Sequence, residues 1–175
     1  EARNSDVIIV IGAHPTSNHP VAATFLKNAA KRGAKLIIID PRGSALSRHA
    51  SYSLQFKPGR DVALLNALMH VIVSEGLYDE QYVQAHTEGF EQLCDHLNDF
   101  SPEKMAPVCG IEPDVLREVA RVYANAEAAI IFWGMGISQH IHGTDNARCL
   151  ISLALMSGQV GRPGTGLHPL RGQNN

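Results

Sequence analysis

Two short apolar runs joined by a helical segment constrain the fold of this chain more than any other feature. The runs "DVIIVIG" (Asp6 to Gly12) and "AKLIIID" (Ala34 to Asp40) are rich in β-branched residues and lack polar alternation, which is typical of strands buried on both faces. Between them, "HPVAATFLKNAAKRG" has Pro20 where a first helical turn would start and Gly33 where it would stop. Such a strand–helix–strand unit requires a right-handed crossover, and hence parallel strands.

The rest of the chain extends this pattern. "YSLQF" predicts a short third strand, and "AAIIFW" (Ala128 to Trp133) predicts a last buried one. Helices are predicted for "DVALLNALMHVIVSEG", for several short pieces between Tyr78 and Ala126, and for "GTDNARCLISLALMSG". We therefore predict one α/β domain over residues 1–175, with a parallel sheet flanked by helices in the Rossmann-like, doubly wound style.

Composition argues against several classes of function. A net charge of -2 and an aromatic content of 6% disfavour a nucleic-acid-binding surface. Every apolar run is shorter than the roughly 20 residues that span a bilayer, so we expect no membrane contact. Cys94, Cys109 and Cys149 are widely spaced and form no CxxC pair, so neither a zinc site nor a disulfide framework is predicted. A reducing, cytoplasmic setting is the expectation.

Polar loops follow each of the four predicted strands. They read "GAHPTSNHP", "DPRG", "FKPGRD" and "GMGISQHIHG". Ligands of parallel α/β sheets bind beyond the carboxyl ends of the strands, so these loops should meet at one ligand site. An elongated ligand with phosphate or ribose is favoured, because helix N-termini in such loops present N–H groups to anions. Asp40 could accept from ribose hydroxyls, and Asp61 from the N1 and N2 donors of a guanine.

Simpler interpretations stay open for both carboxylates and for the histidines. Asp61 could cap the helix that follows it, and Asp40 could start a turn with Pro41. His70 is interpreted as a hydrogen-bonded structural side chain. The histidines of the polar loops fit no metal-ligand spacing, and no metal ligand is predicted in the chain. These loop residues are His14, His19, His140 and His142.

The absence of two common catalytic motifs argues against two enzyme classes. The first strand lacks the GxGxxG of nicotinamide dehydrogenases, because His14 and Pro15 stand where glycines would let backbone approach a pyrophosphate. The chain contains no GxSxG nucleophile elbow, and no Ser/His/Asp or Cys/His grouping suggests a self-contained hydrolase.

Four longer stretches carry a resemblance to a known family. They are "VIIVIGAHPTSNHPVAATFLKNAAKRGAKLIIIDPRGSALSRHA", "FKPGRDVALLNALMHVIVSEGLYDE", "FWGMGISQHIHGTDN" and "GQVGRPGTGLHPLRGQNN". Together they resemble the molybdopterin oxidoreductase family over essentially all 175 residues, and within it the catalytic subunits of formate dehydrogenases. "IIIDPR" and "PGRDVALLNA" are similar to stretches found widely in enzymes with a bis-guanine-dinucleotide molybdenum or tungsten cofactor. "LHPLRGQNN" is similar to the formate dehydrogenase stretch that supplies the substrate-binding arginine.

The resemblance implies roles for individual residues. The loop after the first strand would contact one guanine dinucleotide, Asp40 to Arg42 would bind the same nucleotide, and Gly59 and Asp61 would hold its guanosine end. Residue 14 is usually asparagine in the family and is histidine here. The "GMGISQ" loop would approach the pterin side. The cofactor-binding residues so implied are Gly12, His14, Asp40, Pro41, Arg42, Gly59, Asp61, Met135, Gly136 and Gln139.

The catalytic residue implied by the resemblance is Arg171, whose planar fork suits the carboxylate of formate. In the family, the metal-ligating cysteine or selenocysteine and the iron–sulfur cysteines lie upstream of a segment like this one. The chain is therefore expected to be an internal domain of a larger enzyme that oxidises formate to carbon dioxide. Its partners would be the remaining domains and electron-transfer subunits, and the fragment alone would be inactive and hold no iron–sulfur cluster.

Three alternatives remain at this point. The first is another member of the family, such as a nitrate reductase. The second is the nucleotide-binding middle domain of a thiamine-diphosphate enzyme, against which "PRG" and "RGQNN" argue. The third is a binding module without a redox role. In the fragment, the tail after Gly166 is expected to be mobile.

Overall fold

A computed structural model describes residues 1–170 and 172, and within them it contains a five-stranded sheet. All strand pairs are parallel, and the strand order is β3-β2-β1-β4-β5. The strands are β1 (Val7–Ile11), β2 (Lys35–Ile39), β3 (Tyr52–Leu54), β4 (Ala129–Trp133) and β5 (Gly166–Pro169). The predicted α/β class with a parallel sheet is confirmed. That residues 1–175 form one excised domain stays a prediction.

Helices cover both faces of this sheet, which explains the uninterrupted apolar strands. Residues Val7, Ile9 and Ile11 of β1 belong to the larger core, while Ile8 and Val10 point into the smaller one on the other face. The helices are α1 (Pro15–Asn18), α2 (Pro20–Lys31), α3 (Asp61–Ser74), α4 (Glu80–His86), α5 (Phe90–Leu97), α6 (Pro102–Cys109), α7 (Pro113–Ala124), α8 (Met135–Ser138) and α9 (Gly143–Met156). Both faces of the central strands are therefore shielded from water, and polar side chains at alternate positions of these strands would have been buried unfavourably.

The two cores are built from different helices. Helix α2 supplies Leu26 and Ala29 to the smaller core. Buried side chains of α3, α7 and α9 fill the larger core. Helix α3 is its centre, because it packs against α5, α6, α7 and α9. The interpretation of His70 on α3 as structural is confirmed, since its Nδ1 lies 2.8 Å from the carbonyl oxygen of Leu97.

The expected mobile tail after Gly166 was wrong for the described part of that segment. Residues Gly166–Pro169 form β5, whose Leu167 pairs with Ile131 of β4. The N–H of Leu170 then donates to the carbonyl oxygen of Trp133 at 2.7 Å. Backbone hydrogen bonds to a neighbouring strand order this segment, and Pro169 is tolerated because β5 lies at the edge of the sheet.

None of the helices in the described ranges is both long enough and apolar enough to traverse a bilayer.

Candidate functional site

A cleft of about 420 Å³ lies at the carboxyl ends of the strands. It is bordered by the polar loops that follow β1, β2, β3 and β4, as expected from the rule for parallel sheets. All ten residues predicted to bind a ligand line it: Gly12, His14, Asp40, Pro41, Arg42, Gly59, Asp61, Met135, Gly136 and Gln139. The fold thus brings together residues that are up to 127 positions apart, from position 12 to position 139.

The cleft floor is formed where the loops after β1 and β4 touch. Strands β1 and β4 are neighbours in the sheet, although β2 and β3 lie between them in sequence. After β1 the chain continues to β2 on one side of this pair, and after β4 it continues to β5 on the other side. Gly12 has φ +57°, and a Cβ there would lie 2.8 Å from the backbone nitrogen of Ile137. The N–H of Gly136 donates to the Gly12 carbonyl oxygen at 2.9 Å. These glycines permit backbone-to-backbone contact of the two loops.

Asp40 directly follows β2, and its side chain is only 3% exposed. Its Oδ1 accepts from the backbone N–H of Arg42 at 2.8 Å and lies 3.6 Å from the Arg42 Nε. The interpretation that Asp40 starts a turn is therefore confirmed. The same turn presents the exposed Arg42 guanidinium at the cleft, so the carboxylate orients a cation beside the site.

Asp61 is the first residue of α3 and is 4% exposed. The residue at the cap position is Arg60, and no side chain makes a capping hydrogen bond there, so the interpretation of Asp61 as a helix cap was wrong. Burial raises the pKa of Asp61, although a hydrogen bond to its own backbone and the nearby His140 oppose the shift. A ligand that donates hydrogen bonds to this carboxylate would stabilise its charged form.

Next to Asp61, Gly59 leaves space in the cleft. It has φ +74°, and a Cβ built there meets no atom within 4 Å. Its left-handed backbone favours glycine for conformational reasons, and the open space beside it could admit the edge of a ligand.

More histidines line the cleft than the sequence predicted, since His14 was the one histidine among the predicted ligand-binding residues. His19 and His140 join His14 at its wall, whereas His142 does not. Across the described residues, no group of three His, Cys, Asp or Glu side chains is arranged to hold a metal ion. Burial raises the pKa of each cysteine thiol (Cys94, Cys109 and Cys149), which favours the protonated form over the thiolate that metals prefer.

Several residues of the cleft were missed by the sequence interpretation. Phe56 and Pro58 come from the loop that holds Gly59, and Asn18 comes from α1. Their positions in the polar segments that follow β1 and β3 were the signal that could have found them. Leu170 also lines the cleft. The predicted catalytic residue Arg171 lies outside the described residues.

Comparison with known proteins gives the chain a family. The model of the family described as molybdopterin oxidoreductase matches residues 1–174. Formate dehydrogenase H of Escherichia coli K12 is 41% identical over all of this chain and 24% of its own length. The F420-dependent formate dehydrogenase subunit alpha of Methanocaldococcus jannaschii is 40% identical over 98% of this chain and 25% of its own.

Relatives with other activities match as well. Nitrate reductase of Synechocystis is 35% identical over 98% of this chain and 24% of its own length. The solved structure of acetylene hydratase from Pelobacter acetylenicus has a TM-score of 0.88 and 27% identity, covering 94% of this chain and 23% of that one. The chain thus spans about a quarter of the length of the curated relatives it matches.

Proposed function

Since this chain belongs to the molybdopterin oxidoreductase family, we propose that its cleft binds the guanine dinucleotide part of a molybdenum- or tungsten-pterin cofactor. One observation carries the proposal. All ten residues that the family resemblance implied as cofactor contacts border the same cleft of about 420 Å³. A cavity of this size lies within the range of about 300–1,000 Å³ that is typical of cofactor and small-molecule sites.

The polar groups of the cleft suit the two ends of a nucleotide. The Arg42 guanidinium, held beside Asp40, can bind phosphate oxygens through parallel hydrogen bonds. The buried carboxylate of Asp61 can accept from the N1 and N2 donors of guanine, whereas adenine presents an acceptor at N1. Gly59 leaves the space next to Asp61 open for the base. The residues present therefore fit the group.

The proposed activity of the whole enzyme is oxidation of formate to carbon dioxide. Its support is the match to two formate dehydrogenases at about 40% identity. When bound, the metal–pterin group would supply the acceptor for the two electrons that formate releases. Arg171, which follows Leu170 of the cleft, would hold the formate carboxylate in its fork and so orient the C–H bond.

The remaining parts of the proposal concern what lies outside this chain. Metal ligands and iron–sulfur clusters would come from the rest of a larger enzyme in the cytoplasm, with electron-transfer subunits as partners. The 175-residue chain alone would bind nucleotide but have no formate dehydrogenase activity.

A second candidate is another reaction of the same family. It is favoured by the nitrate reductase relative and by the likeness to acetylene hydratase. Family membership removes the thiamine-diphosphate alternative. Assays of the whole enzyme with formate, nitrate and acetylene would separate the candidates, because each candidate acts on a different substrate.

Nucleotide binding tests the proposal on this chain directly. We expect GDP to bind more tightly than ADP, by about tenfold, in isothermal titration calorimetry, because a hydrogen bond to a charged group contributes about 1.5–3 kcal/mol. Asp61→Asn should abolish the preference. Asp114→Asn, which changes a fully exposed carboxylate on α7, is the matched control and should retain it. Equal affinities for GDP and ADP in the unmodified chain would refute the proposed guanine site.

A further inference from the structure

A second cavity, of about 500 Å³, adjoins the cleft at Gly59, which lines both. It lies over α3, and its walls come from α3, α5, α6 and α9 and from the segment that follows α5. We call it the α3–α9 groove. Gly59 is the one residue that lines both, so the groove is distinct from the proposed cofactor site.

The wall residues follow helical spacing. On α9 the groove is lined by Asp145, Arg148 and Ser152, and on α3 by Ala63, Asn66 and Met69. Intervals of three and four residues mark one continuous face of each helix. At 1.5 Å per residue these faces are roughly 10 Å long, which corresponds to about two turns of helix. The groove therefore has the length of a short helical segment.

The floor of the groove is apolar and only half-covered. Met69 of α3, Leu93 of α5 and Phe100 after α5 line it, and Leu93 and Phe100 keep intermediate exposure. Helices α3 and α5 pack together, as do α3 and α9. An additional helix could lie on α3 between them and bury Leu93 and Phe100 by the usual packing of ridges into grooves.

A buried amide and a guanidinium add polar specificity. Asn66 is 4% exposed and lines the groove, and its Oδ1 accepts a weak hydrogen bond from the Cys149 thiol at 3.5 Å. Arg60 has an exposed side chain at the end of the groove, without an ion-pair partner among residues 1–170 and 172. Both the amide of Asn66 and the guanidinium of Arg60 carry N–H groups that can donate hydrogen bonds to an acceptor that enters the groove.

The charges around the groove favour an acidic occupant. Arg60 and Arg148 are opposed by the carboxylate of Asp145, which already lies 3.7 Å from the Arg148 guanidinium. The first turns of α3 and α9 also border the groove, and helix N-termini carry partial positive charge.

We propose that the α3–α9 groove is a docking site for an amphipathic helical segment of another part of the enzyme, with glutamate or aspartate beside its apolar face. Its apolar side chains cover Leu93 and Phe100, which border the already buried Met69, and one carboxylate pairs with Arg60. The formate dehydrogenase and nitrate reductase relatives are about four times as long as this chain, so such an enzyme has ample polypeptide to supply the segment.

A pair of synthetic peptides tests the groove on the 175-residue chain. The first is a side-chain-crosslinked helix of about ten to fifteen residues, long enough to hold helical structure, with leucines on one face and glutamates beside them. The second has lysine at each glutamate position. Amide shifts in two-dimensional NMR report the location of binding, and fluorescence anisotropy reports the affinity. We expect the acidic peptide to shift amides of α3, α5 and α9, and the lysine peptide to bind at least about tenfold more weakly.

A matched pair of variants tests the role of Arg60. Arg60→Gln should weaken binding of the acidic peptide by about three- to fivefold, the range of an exposed ion pair. Arg32→Gln removes an equally exposed charge at the end of α2 and should change nothing. Ser152→Glu, which places a like charge on the groove wall, should weaken binding further than Arg60→Gln because it repels the peptide.

Four outcomes would overturn the docking proposal. They are equal binding of the two peptides, shifts confined to other surfaces, displacement of the acidic peptide by octanoate at comparable affinity, and self-association of the chain through these helices. The third would identify a small-molecule site, and the fourth a contact between two copies. Nucleotide binding in the cleft is measured separately, so failure here is distinguishable from failure of the proposed function.

Discussion

Asn146 of α9 donates a hydrogen bond from its Nδ2 to the carbonyl oxygen of Ile137, at a distance of 2.9 Å. Both residues are buried, with exposed fractions of 2% and 0%. Ile137 belongs to the single turn α8, which also carries Met135 and Gly136 of the cleft. A core helix thus holds the cleft loop in place through one side chain, while the contact between Gly12 and Gly136 holds it from the other side.

Asn146→Ala should therefore destabilise the chain and loosen the cleft loop. The Ile137 carbonyl would be left buried without this donor, which costs about 1–3 kcal/mol. Chemical denaturation measures the loss, and GDP titration should show weaker binding. Asn125→Ala is the control, because its Nδ2 donates to the Arg121 carbonyl oxygen at the same 2.9 Å but on an exposed helix end. That variant should lose no more than about 0.5–1 kcal/mol and keep its nucleotide affinity. Equal effects of the two substitutions would refute the role of the Asn146 hydrogen bond in holding the cleft loop.

Gly12→Ala should be costlier than Gly76→Ala. The two glycines have similar backbone angles, with φ +57° and +64°, so alanine suffers the same left-handed strain of about 1 kcal/mol at each. Only at Gly12 does the added Cβ collide with neighbouring backbone, whereas none lies within 4 Å at Gly76. We expect an extra loss of about 1–3 kcal/mol for Gly12→Ala in thermal or denaturant unfolding. Similar losses would mean that the two loops separate easily.

Asp61→Asn should make the chain more stable at neutral pH. Burial raises the pKa of Asp61 above its ordinary value of 3.8, so the native state binds this proton more tightly than the unfolded chain does. The contribution of Asp61 to stability therefore falls as pH rises from about 3.8 through the raised pKa. Asparagine carries no charge, so the variant should match the parent in acid and be more stable than the parent at pH 7, with a higher Tm. Unfolding curves at several pH values check this, and a less stable variant at pH 7 would contradict it.

Arg171→Lys should impair the whole enzyme without affecting its cofactor content. Lysine retains the charge and loses the planar fork, so we expect a loss of about 1.5–3 kcal/mol of transition-state binding, or ten- to hundredfold in kcat/KM for formate. Metal analysis should be unchanged, because Arg171 is proposed to contact substrate. Wild-type kinetics in this variant would rule out that role.

The central strands were predictable because a run of neighbouring apolar residues is enough to indicate a strand that is buried on both faces. Val7–Ile11, and residues 36–39 of β2, carry apolar side chains on consecutive positions, and only a strand covered on both faces buries all of them. Helix α3 was predictable for a related reason, since its apolar residues recur at helical spacing and stop near Gly76. The polar loops after these strands followed from the parallel topology, so the location of the cleft was predictable too.

Strand β5 and the hydrogen bond from Asn146 to α8 were not predictable, because both depend on residues that are distant in sequence. Gly166–Pro169 has no β-branched residue, and it is a strand because β4 offers it backbone hydrogen bonds. Asn146 looks like an ordinary polar residue at a helix start until the fold places Ile137 beside it. The raised pKa of Asp61 is likewise a consequence of burial, which the fold decides.

The amino-acid sequence by itself determined which segments are strands and helices, because periodicity and turn residues act over a few neighbouring positions. It also determined the residue types available at the edge of the sheet. Tertiary structure alone decided which of these residues meet, since contacts such as Gly12 with Gly136 join segments more than a hundred residues apart. It also decided that helices α3, α5, α6 and α9 leave the α3–α9 groove between them, because the space between packed helices depends on their relative positions.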